Sequence, residues 1–182
     1  MTGPGRNTQA GAATGGPRTL RRLLHYPGVS VQVALQAAPD VEIALGQVLN
    51  GWSPHGNALA AAKDRQSSVQ GGPTGYRAAS CYLEAPLEGL GVAGAACAVV
   101  ADLAQDYFET RPGLVALHCA AFRYGDRLIA LTGPSRAGKS TLAARLTMET
   151  DMQVFCDDVL PLLDDNQAIG LGIAPRLRLP LP

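Results

Sequence analysis

A chain of 182 residues and 18.9 kDa can bury one sizeable core, while two complete domains would be a squeeze. Its 15 Lys and Arg balance 15 Asp and Glu, so no net field recruits nucleic acid or an anionic membrane, and a small-molecule or protein substrate is favoured. Cys81, Cys97, Cys119 and Cys156 are too far apart for a CxxC pair or a zinc site with His25, His55 or His118, and they read as reduced, mostly buried thiols of a cytoplasmic protein.

Residues 1–26 are expected to be a disordered tail, since "MTGPGRNTQAGAATGGPRTL" is rich in Gly, Thr and Ala and lacks the apolar run of a secretory signal. Arg6, Arg18, Arg21 and Arg22 all precede the first acidic residue, Asp40, and read as a solvated basic stretch. An α/β portion follows over 27–113. "GVSVQVALQ" alternates like a strand, and "PDVEIALGQVLNGW" puts Val41, Ala44, Leu45, Val48 and Leu49 on one helical face. From 53 to 74 the composition predicts a long loop with a short helix near 58–63, before order resumes with "YRAASCYL". A helix is expected from Pro86 or Leu87 to just before Arg111-Pro112-Gly113. Its uncharged stretch, 89–101, has 13 residues, too few to span ~30 Å of hydrocarbon.

"LVALHCAAF" and "RLIALT", joined at Tyr124-Gly125-Asp126, predict a hairpin in the middle of a buried sheet. "MQVFC" predicts a further strand, and "VLPLLDDNQAIGLGI" a hairpin turning at Asp164-Asp165-Asn166.

Between the second strand of the first hairpin and the next helix lies Gly133-Pro134-Ser135-Arg136-Ala137-Gly138-Lys139-Ser140-Thr141, which fits G-x-x-x-x-G-K-[ST] in the strand-to-helix context that the motif requires. Backbone N–H groups of such a loop wrap a phosphate, Lys139 bridges the β- and γ-phosphates of ATP, and the Ser140 hydroxyl ligates Mg²⁺. Arg136 stands where many such loops carry glycine, and a left-handed backbone there would be awkward for arginine.

Two more features are aimed at this loop. A helix between parallel strands returns their carboxyl ends to one sheet edge, so Asp157-Asp158, directly after "QVFC", should land beside it, ready to ligate Mg²⁺ or accept a hydroxyl proton. If the hairpin pairs about Tyr124-Gly125-Asp126, His118 faces Thr132, and a two-residue turn moves the partner to Gly133.

A strand histidine fifteen residues before the first loop glycine, then "GPSRAGKST", then "CDD" with Asp157 18 residues beyond Lys139, resembles the HPr kinase/phosphorylase family. The closing "PRLRLPLP" is similar to its stand-alone HPr-kinase-like serine kinases. The resemblance covers about 114–182, a P-loop kinase core. It implies a phosphoenolpyruvate-carboxykinase-like P-loop fold with a mixed sheet, and ATP-dependent phosphorylation of a serine on a protein or peptide, either an HPr-like carrier or a natural-product precursor such as a lasso peptide. It also implies Asp157 as the base, Asp158 as its metal-supporting neighbour beside Ser140, and His118 as the active-site histidine, with the two aspartate roles open to exchange.

Only 43 residues follow Lys139, which predicts a kinase core incomplete at its C-terminal end, prone to homo-oligomerise or to need a complementing chain. The competing expectation is a catalytically incomplete nucleotide-binding module. Transporter-type and AAA-type ATPases would need a distant second acidic motif and a GTPase an N-K-x-D, which the sequence does not offer, while a small-metabolite kinase of the nucleoside-monophosphate type stays open but would need a lid that the sequence does not show.

Overall fold

A computed structural model describes residues 21–56, 65–163 and 167–175. The tail over 1–20, the short helix expected near 58–63, the turn at 164–166 and the closing 176–182 lie outside these described residues.

The chain opens with two strands, β1 (Arg21–His25) and β2 (Gln32–Gln36), paired antiparallel with Leu24 opposite Val33. The expected tail is therefore corrected over 21–26: Leu24 and Tyr26 are buried, and Arg22 pairs with Glu42 at 3.0 Å. Helix α1 (Pro39–Val48) starts at a proline whose missing N–H costs nothing there, and Asp40 and Glu42 in its first turn complement the helix dipole. Val41, Leu45 and Leu49 are buried as the spacing predicts.

The short strand β3 (His55–Gly56) pairs with β1, and β4 (Gln66–Gly72) runs parallel to β2. The loop expected over 53–74 is thus a strand in its second half. "QSSVQGG" was too polar to read as one, yet Ser67 and Val69 point inward, and Asp102 accepts a hydrogen bond from the Ser67 hydroxyl. Strands β5 (Gly75–Ser80) and β6 (Leu87–Leu90) complete a six-stranded mixed sheet in the order β3-β1-β2-β4-β5-β6.

Helix α2 (Val92–Glu109) begins later than expected, because 87–90 pair with β5 and Gly89, at φ +67°, is in the left-handed region. Its buried face carries Ala95, Ala96, Val99, Val100 and Leu103, and each fully buried aliphatic side chain contributes about 1.5–3 kcal/mol. The same face carries Asp102 and Asp106. Asp102 accepts from Ser67 and Ser80, and Asp106 accepts from the Ser30 N–H, the Tyr82 hydroxyl and Arg65. Among the described residues no helix is long and apolar enough to cross a membrane.

The second half is built on a bent ribbon. The single strand expected over 114–122 divides into β7 (Val115–His118) and β8 (Ala120–Tyr124), and its antiparallel neighbour divides into β10 (Met152–Cys156) and β11 (Val159–Leu162). β8 pairs with β10 and β7 with β11, and the Cys119 N–H donates to the Asp158 carbonyl across the bend. The expected mixed sheet is the six-stranded one, and among the described residues it is joined by two smaller sheets, β10-β8-β9 and β11-β7.

Strand β9 (Arg127–Leu131) follows the two-residue turn Gly125-Asp126. It is an exposed edge, not the middle of a buried sheet: residues 127–130 are all exposed, including Leu128 and Ile129. Helix α3 (Lys139–Leu146) packs on β8 and β10 through Ala143. The core of this half is small, centred on Cys119, Ala121, Cys156 and Leu160, whereas the larger core is built on the N-terminal half, around Val31, Val33, Val41, Leu45, Val99 and Leu103. The segment after β11 returns to the first half: Gly51 donates to Gly172 O, Ala174 donates to Val48 O, and Trp52 Nε1 donates to Leu171 O.

Candidate functional site

The loop between β9 and α3 turns on three positive-φ residues, Gly133 (+152°), Arg136 (+67°) and Gly138 (+85°). Glycine meets this demand at the two outer positions without a Cβ penalty. Arg136 does adopt the left-handed conformation that its sequence position raised as a difficulty, at a cost of about 1–2 kcal/mol. Ala137 N–H closes a turn onto Pro134 O at 3.3 Å. The Lys139 ammonium folds into the loop, donating to Gly133 O at 2.9 Å and Pro134 O at 3.1 Å. Ser135 lies in the exposed stretch of the loop, and Thr141 in the first turn of α3.

The acidic pair arrives by topology. β9 and β10 are each antiparallel to β8, so they run parallel to one another on either side of it and their carboxyl ends share one edge. The expected parallel relation holds with a strand interposed. Ser140 Oγ donates to the Asp157 backbone carbonyl at 3.5 Å, which ties the start of α3 to the acidic bend. Asp157 is buried and Asp158 half-exposed, so the adjacent carboxylates present different surroundings.

His118 is not opposite Thr132 or Gly133. The β8–β9 pairing ends at Ala120 opposite Leu131, and β7 has by then left that sheet, so His118 sits opposite Val159. The bend nevertheless brings it to the acids: His118 Nδ1 stands 3.2 Å from Asp158 Oδ1. On its own strand face, Ala120 is buried and Ala116 exposed.

Beneath the bend lie Cys119 and Cys156, both buried, with the Cys156 thiol 3.6 Å from Cys119 O. Burial pushes the Cys156 thiol up to about 12, helped by its neighbour Cys119. Burial also raises Cys119, against the opposing pull of its contact with Cys156 and of the nearby Lys139 ammonium. These are inert thiols packed in the small apolar core of this half. Of the other two, Cys97 is partly buried and Cys81 exposed, so the expectation of mostly buried cysteines holds for two of the four.

The acidic bend also lines a cleft of about 70 Å³, to which α2 contributes Val100, Ala101 and Ala104. This contribution is not legible from the sequence, because the Gly and Ala content of α2 reads equally as close packing against a sheet. Among the described residues, no group of three or more His, Cys, Asp or Glu side chains is placed to hold a metal unaided.

No model of a known protein family matches this chain, and comparison with curated proteins and with solved structures likewise finds no match.

Proposed function

We propose that the chain is a P-loop phosphotransferase of the HPr-kinase-like type, with a phosphoenolpyruvate-carboxykinase-like core, that uses ATP and Mg²⁺ to phosphorylate a serine hydroxyl on a protein or peptide in the cytoplasm. The observation that carries this reading is the union of loop and acids: Ser140 Oγ meets the backbone of Asp157 while Lys139 lies folded within the loop.

The donor set fits Mg-ATP. Mg²⁺ is commonly held by one or two protein oxygens plus phosphates, so Ser140 with a carboxylate of the acidic bend suffices, and a closed protein cage is not required. The Lys139 bonds to two carbonyls are replaceable by bonds to phosphate oxygens, and the N-terminus of α3 favours negative charge. Bound Mg-ATP would supply the transferable γ-phosphoryl group. In this reading Asp157 accepts the proton of the incoming hydroxyl, while Asp158, steadied by His118, supports the metal.

Paired variants test the division of labour. Asp157→Asn should keep nucleotide binding and lose phosphotransfer by about 10²–10⁴-fold, the usual weight of a general base, whereas Asp158→Asn should lose both. Full phosphotransfer by both variants would make the acidic pair structural.

A second reading is favoured by the exposure of β9, whose unpaired edge leads straight into the loop. An added strand there would cover Leu128 and Ile129 and could bring further groups to the phosphates. In that reading the chain is a nucleotide-binding module completed by a second copy or a complementing chain.

A further inference from the structure

The cleft at the acidic bend has two kinds of lining. Asp157 and Asp158 are its acidic part, and the rest is largely apolar: Val100, Ala101 and Ala104 from α2, with Val159, Leu171 and Ile173. Ala101 and Ala104 are one helical turn apart, and their single methyl groups leave space that a larger side chain would fill, while the neighbouring Leu103 is buried in the core and takes no part in the lining. An acidic pair beside an apolar lining suits a ligand that ends in a hydrogen-bond donor on a short aliphatic stem. At about 70 Å³ the slot has roughly half the volume of an engineered cavity that admits benzene. A hydroxymethyl or hydroxyethyl group fits, and a phenol does not.

We propose that this cleft is the acceptor subsite and that Ala101 and Ala104 set its specificity: the slot takes an aliphatic hydroxyl side chain from a peptide lying across α2 and excludes tyrosine. This rests on the phosphotransferase reading, and it adds that the N-terminal half of the chain, through α2, builds the acceptor side of the site. The aspartate pair lines the cleft and, through the contact of Ser140 with the Asp157 backbone, also adjoins the start of α3, so a hydroxyl held in the slot would have a proton acceptor beside it at the edge of the phosphate loop.

The test is a nucleotide-free titration of the full chain with N-acetylserine N-methylamide, read on the methyl NMR signals of Ala101, Ala104 and Val159. N-acetyltyrosine N-methylamide serves as the control. For a probe of this size, saturation on the order of a few mM is expected. Ala104→Leu and Ala101→Leu fill the slot with good helix formers, and each should weaken serine-probe binding at least tenfold while the Val99 and Leu103 methyl signals stay in place to report an intact core. Saturable shifts with the serine probe that both leucine variants abolish would support the proposal. Absence of shifts, equal binding of the tyrosine probe, or unchanged binding in both leucine variants would overturn it. Because no nucleotide is present, these outcomes are independent of whether Lys139 binds ATP.

Discussion

Replacing Arg136 by glycine should stabilise the protein. At φ +67° an L-residue crowds its Cβ against the following carbonyl, which costs about 1–2 kcal/mol, and glycine escapes this penalty. Glycine gives back about 0.5–1 kcal/mol through the greater freedom of the unfolded chain. The net gain is about 0.5–1 kcal/mol, and for a chain of this length it should raise Tm by roughly 1–4 °C. Scanning calorimetry on wild type, Arg136→Gly and Arg136→Ala separates the cause. Alanine keeps the Cβ and should gain nothing, so a rise confined to glycine identifies backbone strain. Equal gains for alanine and glycine, or a Tm for Arg136→Gly at or below wild type, would refute the strained-loop argument.

The N-terminal half supplies the other predictions. Leu103→Ala, at a fully buried position of α2, should cost about 2–5 kcal/mol in urea unfolding. Asp106→Ala should cost on the order of 1–3 kcal/mol in all, because it removes the buried acceptor shared by the part-buried Ser30 N–H, Tyr82 hydroxyl and Arg65, whereas Asp106→Asn keeps an acceptor and should cost less. The pH dependence has a definite sign. Burial works to raise the Asp106 pKa, but hydrogen bonds from Ser30, Tyr82, Arg65 and Val31 together hold it below the ordinary 3.8, so its contribution is complete above pH 3.8 and is lost as pH falls through the lower folded value. Asp102 runs the other way, because burial outweighs its bonds from Ser67 and Ser80 and raises it. Its contribution is complete below pH 3.8 and lost as pH rises through the folded value, so Asp102→Asn should be tolerated at pH 7 better than Asp106→Asn, as urea midpoints would show.

What the sequence made legible were features whose cause is local. The apolar spacing of α1 places Val41, Leu45 and Leu49 on one face, and the Gly-x-x-x-x-Gly-Lys-Ser spacing with a strand before it and a helix after it marks the loop whatever the rest of the chain does. What it hid depends on distant partners. Strand β4 looks like a loop because Ser67 is satisfied inside the core by Asp102, thirty-five residues further on. The strand over 114–122 looks continuous because nothing in its own residues announces a bend; Cys119 is held at the bend by the Asp158 carbonyl of the neighbouring ribbon strand. Arithmetic along the hairpin therefore gave His118 the wrong partner. It stands beside the acids all the same, because the neighbouring strand bends at the same level as its own. The share of α2 in the site was invisible for a similar reason, since Ala101 and Ala104 acquire meaning only from the acidic bend that lines the same cleft.

The central claim, that the 133–141 loop is a phosphate cradle, is tested most directly by isothermal calorimetry of Mg-ATP binding to wild type and Lys139→Ala. Lys139 reaches only loop carbonyls, Gly133 O and Pro134 O, in the hydrogen bonds it donates here, so its loss should leave the fold and Tm nearly unchanged. Binding to wild type with at least a hundredfold loss in the variant is the predicted result. Equal affinity in the two proteins, or no binding to folded wild type, would contradict it.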